Sequence, residues 1–106
     1  ERGIRTFSRH SRFTLDLSVV PAARGLSHLP ILVDPSHAVG RGDRVSAMAR
    51  AAVAAGADGV MIEVHPTPDE ALSDGRQALI PQQGADLIAQ LRAIAAIVSR
   101  KAEARL

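Results

Sequence analysis

The sequence has no cysteine, no tryptophan and no tyrosine, and its only aromatics are Phe7 and Phe13. Without cysteine there is no disulfide framework, and no thiolate of this chain can hold a metal. Lysine is almost absent: every one of the 13 basic residues except Lys101 is arginine. Neither sign of charge dominates, with 11 acids leaving a net charge of +2. There is no concentrated basic run and no aromatic interleaving, which excludes an ordinary nucleic-acid-binding surface. No apolar stretch approaches the roughly 20 residues of a membrane span. Arg2, Arg5, Arg9 and Arg12 precede no apolar segment, so the opening does not read as a signal peptide. A soluble cytoplasmic protein with no membrane partner is expected.

What remains is aliphatic. Hydrophobic residues make up 46% of the 106 positions. A core of Leu, Ile, Val and Ala suits helices packed on a parallel sheet. The chain centres on Ile31-Leu32-Val33-Asp34-Pro35-Ser36-His37-Ala38. Its apolar run predicts a strand over 31–34, buried on both faces, which Pro35 ends because it has no N–H for the ladder. Ser36 and His37 then project from the strand's C-terminal edge, where parallel α/β folds bind ligands. Gly59-Val60-Met61-Ile62-Glu63-Val64-His65-Pro66 repeats the design, with a strand over 59–63. Asp74-Gly75 follows in the next loop. One histidine and two carboxylates at adjacent strand ends suit a divalent metal.

Around these strands the chain predicts helices over 15–26, 44–55 and 82–102. Asp16 or Ser18 caps the first, and Gly25 ends it. Asp43 caps the second, and Gly56 closes it. Val45, Met48, Ala49, Ala52 and Val53 form one core stripe, and Leu87, Leu91, Ile94, Ala95 and Val98 another. Residues 35–42 and 66–81 are expected to be loops, with one helical turn over 68–72. Glu1-Arg2-Gly3 reads as the end of a strand. Strands alternating with helices predict an α/β chain with parallel strands and right-handed crossovers.

Five segments in this order carry a resemblance: Glu1-Arg2-Gly3-Ile4-Arg5-Thr6-Phe7, Asp34-Pro35-Ser36-His37-Ala38, Ala55-Gly56-Ala57-Asp58-Gly59, Glu63-Val64-His65-Pro66 and Leu72-Ser73-Asp74-Gly75. Together they resemble the C-terminal part of the 3-deoxy-D-arabino-heptulosonate 7-phosphate (DAHP) synthases, in the beta subfamily of the type I enzymes. The resemblance runs from residue 1 to about residue 100. It implies that residues 1–106 are the last three βα units of a TIM (β/α)8 barrel, whose N-terminal portion is a missing partner. It also implies a condensation of phosphoenolpyruvate with erythrose 4-phosphate that releases phosphate, as the first step of the shikimate pathway.

The resemblance further implies a divalent metal (Mn, Co, Zn or Fe) held by His37, Glu63 and Asp74, with a family cysteine from an earlier strand as the fourth ligand. Arg2 matches an arginine that binds phosphoenolpyruvate, and His37 and Arg2 are the catalytic candidates. Arg5, Thr6 and Asp34 are further substrate-binding candidates. Each has a plainer rival. Asp34 and Asp74-Gly75 are also turn residues, Glu63 could be an ion-pair partner, and His65 reads better as a loop histidine. His10 and His28 read as surface residues. Ser8, Phe13 and Val39 depart from the family's usual residues. Two other readings stand beside the first: the related octulosonate phosphate synthase, and a non-catalytic half-barrel that binds a partner. The exposed edges of a partial barrel predict association, including with a second copy. The fourth ligand and most substrate-binding cations that the resemblance implies would lie upstream, so the chain alone is expected to be inactive.

Overall fold

The computed structural model describes residues 1–103, with side chains to residue 98. Strand β1 (Leu32–Val33) lies parallel to β2 (Gly59–Val60), with Leu32 opposite Gly59 and Val33 opposite Val60. Gly59 permits that register. A Cβ there would stand 2.5 Å from Leu32 Cδ2. The pairing extends on both sides. The Glu1 amine donates to Leu32 O and Glu1 O accepts from Asp34 N, at 2.8 and 2.7 Å, in a parallel pattern. On the far side Val64 and Leu79 form a single parallel bridge. Apart from an antiparallel bridge between Ile4 and Thr14, the strand-like positions among the described residues run in chain order and parallel.

Helix α1 (Val19–Leu26) links Glu1's edge to β1, and α3 (Gly42–Ala54) links β1 to β2. Helix α4 (Pro81–Glu103) follows Leu79 and packs against α3. Two faces of α3 organise the interior. Val45 and Ala49 join Val39, Leu79 and Leu87 in one buried cluster, while Ala52 joins Val20 and Val33 in another. Val60 touches both.

Several expectations are corrected. The strands are shorter than 31–34 and 59–63, and they are not buried on both faces: Leu32 is 53% exposed and Met61 54%. Residues 35–42 are not simply a loop, because α2 (Pro35–Val39) occupies most of the stretch. Pro35 ends the strand and also opens this helix, where its missing N–H costs nothing. Asp34 caps it and Gly40, with φ 65°, closes it in the left-handed region. Helix α1 starts later than residue 15, and it runs through Gly25 to Leu26. Asp43 lies in the first turn of α3 rather than capping it, with Arg41 at the cap. The long loop holds two 3-10 turns, Pro68–Glu70 and Gly75–Gln77, the second unforeseen. Gly84 is buried inside α4, where a Cβ would sit 3.4 Å from Val64 Cγ2. The glycine brings the helix close to the strand line.

Candidate metal centre and its rim

Helix α2 begins where β1 ends, so its first turn hangs over the C-terminal edge of the strands. Asp34 Oδ1 accepts the His37 backbone N–H at 3.0 Å, which is the helix cap. Its Oδ2 lies 2.6 Å from His37 Nδ1. An ionised carboxylate only accepts, so this bond puts a proton on Nδ1 and leaves Nε2 as the ring atom turned to the other side. Asp34 is buried, at 6% exposure, and His37 is partly exposed.

Nε2 faces two carboxylates from distant parts of the chain. Glu63 Oε1 is 3.5 Å away and Asp74 Oδ2 is 3.3 Å away. One donor atom from each of the three residues falls within 4.8 Å of the others. Three lone-pair donors facing one another repel unless a cation or a proton lies among them. An imidazole nitrogen and two carboxylate oxygens, with a second carboxylate behind the imidazole, fit a divalent metal in both donor type and support.

The backbone sets up this convergence. Ser36, fully buried, accepts the Glu63 backbone N–H through Oγ at 3.0 Å. That bond ties the end of the β2 line to α2 one residue from His37. Asp74 takes φ 55°, ψ 22° in the left-handed region, which aspartate tolerates better than most residues. Gly75 follows, where a Cβ would meet Pro68 O at 2.2 Å. The tight turn carries Asp74 back to the histidine.

The substrate-binding candidates separate. Arg2 Nε lies 3.9 Å from Asp34 Oδ2, beside the centre, with its side chain largely exposed. Arg5 instead lies 5.6 Å from the Phe13 ring centroid, and Thr6 Oγ1 pairs with Thr14 Oγ1 at 2.6 Å. Both belong to a small hairpin closed by Ile4 and Thr14. Among the described residues, no hydrogen bond or ion pair joins Arg5 or Thr6 to His37, Glu63 or Asp74. His65 Nδ1 accepts from Thr67 N at 2.9 Å, a bond within the loop. His10 and His28 are exposed.

Ser36 was legible only as a strand-edge residue, without its bond to Glu63. Other groups carried no signal in the sequence. Arg9, Arg12, Arg41 and Arg76 line a cavity of 590 Å³ that also touches His37 and Asp74. Arg41 is held by Asp43 at 3.0 and 2.8 Å, and that pairing keeps the Asp43 carboxyl below its ordinary pKa of 3.8.

At the opposite end of the strands, Arg24 Nη2 meets Asp58 Oδ1 at 2.7 Å, and Asp58 Oδ2 accepts from Ile31 N at 2.8 Å. Asp58, in the Ala-Gly-Ala-Asp-Gly segment, therefore ties α1 to β1 and takes no part in the centre.

The chain is 54% identical over 95 residues to the phospho-2-dehydro-3-deoxyheptonate aldolase of Thermotoga maritima, covering 90% of this chain and 28% of that protein. It is 35% identical over 96 residues to the 2-dehydro-3-deoxyphosphooctonate aldolase of Desulfosudis oleivorans, covering 80% of this chain and 34% of that one. It superposes on the crystal structure of the Thermotoga maritima enzyme, named DAHP synthase as well, with a TM-score of 0.89 and 52% identity. That match covers 92% of this chain and 29% of the other. The chain thus spans about a third or less of the length of these relatives. The family model of the DAHP synthetase I family matches residues 1–99, nearly the whole sequence, and the chain belongs to that family.

Proposed function

We propose that this chain is the C-terminal part of a (β/α)8-barrel DAHP synthase, which condenses phosphoenolpyruvate with erythrose 4-phosphate and releases phosphate. The observation that carries the reading is the convergence of His37, Glu63 and Asp74, with Asp34 behind the imidazole. Those three side chains would hold the divalent ion. Bound there, the ion serves as a Lewis acid toward an aldehyde oxygen.

The chain's own residues do the rest of the work assigned here. Asp34 keeps the His37 proton on Nδ1 and fixes the ring plane. Ser36 holds the Glu63 backbone in place. Arg2, beside Asp34, presents a guanidinium to the carboxylate or phosphate of phosphoenolpyruvate, a pairing that favours bidentate contact.

Octulosonate phosphate synthesis is the second reading, favoured by relatives named for it. The higher identity to the heptonate enzyme puts it second. The test replaces the matching C-terminal segment of the Thermotoga enzyme with residues 1–106 and follows phosphoenolpyruvate consumption with added Mn²⁺. Turnover with erythrose 4-phosphate is expected. Turnover with arabinose 5-phosphate alone would sink the first reading in favour of the second. A folded chimera that consumes neither aldose phosphate would sink both.

A further inference from the structure

Asp74 is the one non-glycine residue with a positive φ among the described residues. Such a backbone persists only where its surroundings hold it. Two contacts hold this one, and both are long. Asp74 O accepts from Gln77 N at 3.2 Å, and Asp74 Oδ2 lies 3.3 Å from His37 Nε2. The next residue must be glycine, since a Cβ at Gly75 would run into Pro68 O. Gly75 therefore brings no side chain to shield its own nitrogen. Its N–H makes no hydrogen bond among the described residues, and Asp74 is exposed, so water reaches the turn. A second Asp-Gly step, Asp58-Gly59, is held differently. Both Asp58 oxygens are engaged, by Arg24 at 2.7 Å and by Ile31 N at 2.8 Å, and Gly59 lies in β2. The sequence has no asparagine, so no amide competes in the same chemistry.

We propose that Asp74-Gly75 is a site of spontaneous backbone isomerisation, closed when a divalent ion sits at the centre and open without one. The Gly75 amide nitrogen attacks Asp74 Cγ. The new N–Cγ bond closes a five-membered imide, and one Cγ–O bond breaks as water leaves with the amide proton. Water then adds back at either ring carbonyl. Opening at Cγ restores aspartate. Opening at the Asp74 backbone carbonyl breaks its bond to the Gly75 nitrogen, and the chain thereafter runs through Cβ. The net change is an isomerisation that needs no reagent but water. At ψ 22° the Gly75 nitrogen is turned away from the Asp74 side chain. The turn must unwind about the Asp74 Cα–C bond before the ring closes. An ion held by His37, Glu63 and Asp74 opposes that rotation, because it binds the closed turn. In the product the free carboxylate sits directly on Cα, one carbon shorter, and its reach to His37 is lost. The ion's part rests on the metal-centre reading; the rearrangement does not.

The test follows the bond, not turnover. Protein carrying this chain in its full-length polypeptide is kept in warm, neutral heavy-oxygen water, with either a chelator or Mn²⁺. Calorimetry fixes the Mn²⁺ affinity beforehand. Digested samples are read by peptide mass and by enzymatic methylation of isoaspartate. Each ring opening leaves one heavy oxygen in the peptide. In the metal-free protein, isoaspartate and heavy oxygen are expected to build up at Asp74 and not at Asp58. Free Mn²⁺ at about ten times its Kd should slow the build-up roughly tenfold, by mass action on the closed turn. Asp74→Glu should abolish it, since the longer side chain would have to close a six-membered ring. Metal-free protein that gains nothing at Asp74, while a synthetic peptide of residues 70–79 does, overturns the proposal. So does an equal rate with and without bound Mn²⁺. Build-up at Asp74 in a protein that binds no Mn²⁺ supports the rearrangement and removes the metal centre.

Discussion

Asp34 grips His37 twice, through its backbone N–H at 3.0 Å and its ring Nδ1 at 2.6 Å. One carboxylate thus caps the helix that carries the histidine and holds the ring by Nδ1. The two roles are separable by substitution. Asp34→Asn keeps a side-chain oxygen for the cap but cannot accept from Nδ1–H as a charged group. It is expected to cost little stability and about 10–100-fold in affinity for Mn²⁺ or Zn²⁺. Asp34→Ala loses both, adding about 1 kcal/mol of destabilisation from the lost cap. Metal titration and thermal unfolding of the pair read the two effects apart. Equal metal affinity in Asp34→Asn and wild type would show that the ring bond is idle.

Ser36 makes a prediction of another kind. Its hydroxyl is the acceptor for the Glu63 N–H, and it is fully buried. Ser36→Ala leaves that N–H without a partner, at a cost of about 1–3 kcal/mol. It also frees the Glu63 backbone, so metal affinity should fall although no ligand is touched. Hydrogen exchange at the Glu63 amide is the direct readout. An amide that stays as protected as in the wild type would refute the bond.

Asp58 is expected to separate stability from function. It joins Arg24 and Ile31 at the strand ends opposite the centre. Asp58→Ala removes a partly exposed ion pair worth about 0–1 kcal/mol and the acceptor of the Ile31 N–H, worth a further 1 kcal/mol or so. The chain should unfold at lower denaturant concentration with metal affinity unchanged. A parallel loss of metal binding would show that the two ends of the strands are coupled.

The ends of the strands were easier to read in the sequence than their bodies. Val33-Asp34-Pro35 marks a strand end by chemistry that acts within three residues: an apolar residue, then a proline that cannot donate. The same proline suits the first turn of a helix, and Asp34 three residues before His37 is a cap spacing. The helix over Pro35–Val39 was therefore present in the letters but outweighed by the two glycines that follow. Leu32 and Met61 looked buried on both faces because aliphatic composition does not say what covers a strand. His37, Glu63 and Asp74, which the structure brings together, were singled out through motif order. Ser36 and the four cavity arginines escaped because their roles depend on partners 27 or more residues away, or on walls built from three segments. No periodicity encodes such meetings.

The last prediction concerns the chain by itself. Much apolar surface lies uncovered: Leu72 and Phe7 are fully exposed, Val64 is 49% exposed and Ile97 57%. Val60, Ile62, Val64, Ile88 and Leu91 line an open apolar cleft of 420 Å³ between the β2 line and α4. Glu1 and Leu79 stand at the two outer positions of a parallel array, and parallel strands are ordinarily covered on both faces and continued at their edges. The centre brings together three candidate donors, His37, Glu63 and Asp74, where the family resemblance implies a fourth from an earlier strand. On these grounds residues 1–106 alone should associate, with a second copy or with the matching N-terminal part of a relative, and should not turn over phosphoenolpyruvate. Light scattering of the purified chain reads the first half, and phosphate release from both substrates with added Mn²⁺ reads the second. A monodisperse monomer with turnover comparable to a complete synthase would overturn the partial-barrel reading and the four-ligand centre together. Restored turnover on mixing with the N-terminal part of the Thermotoga enzyme would show that the exposed surface is where the rest of the barrel docks.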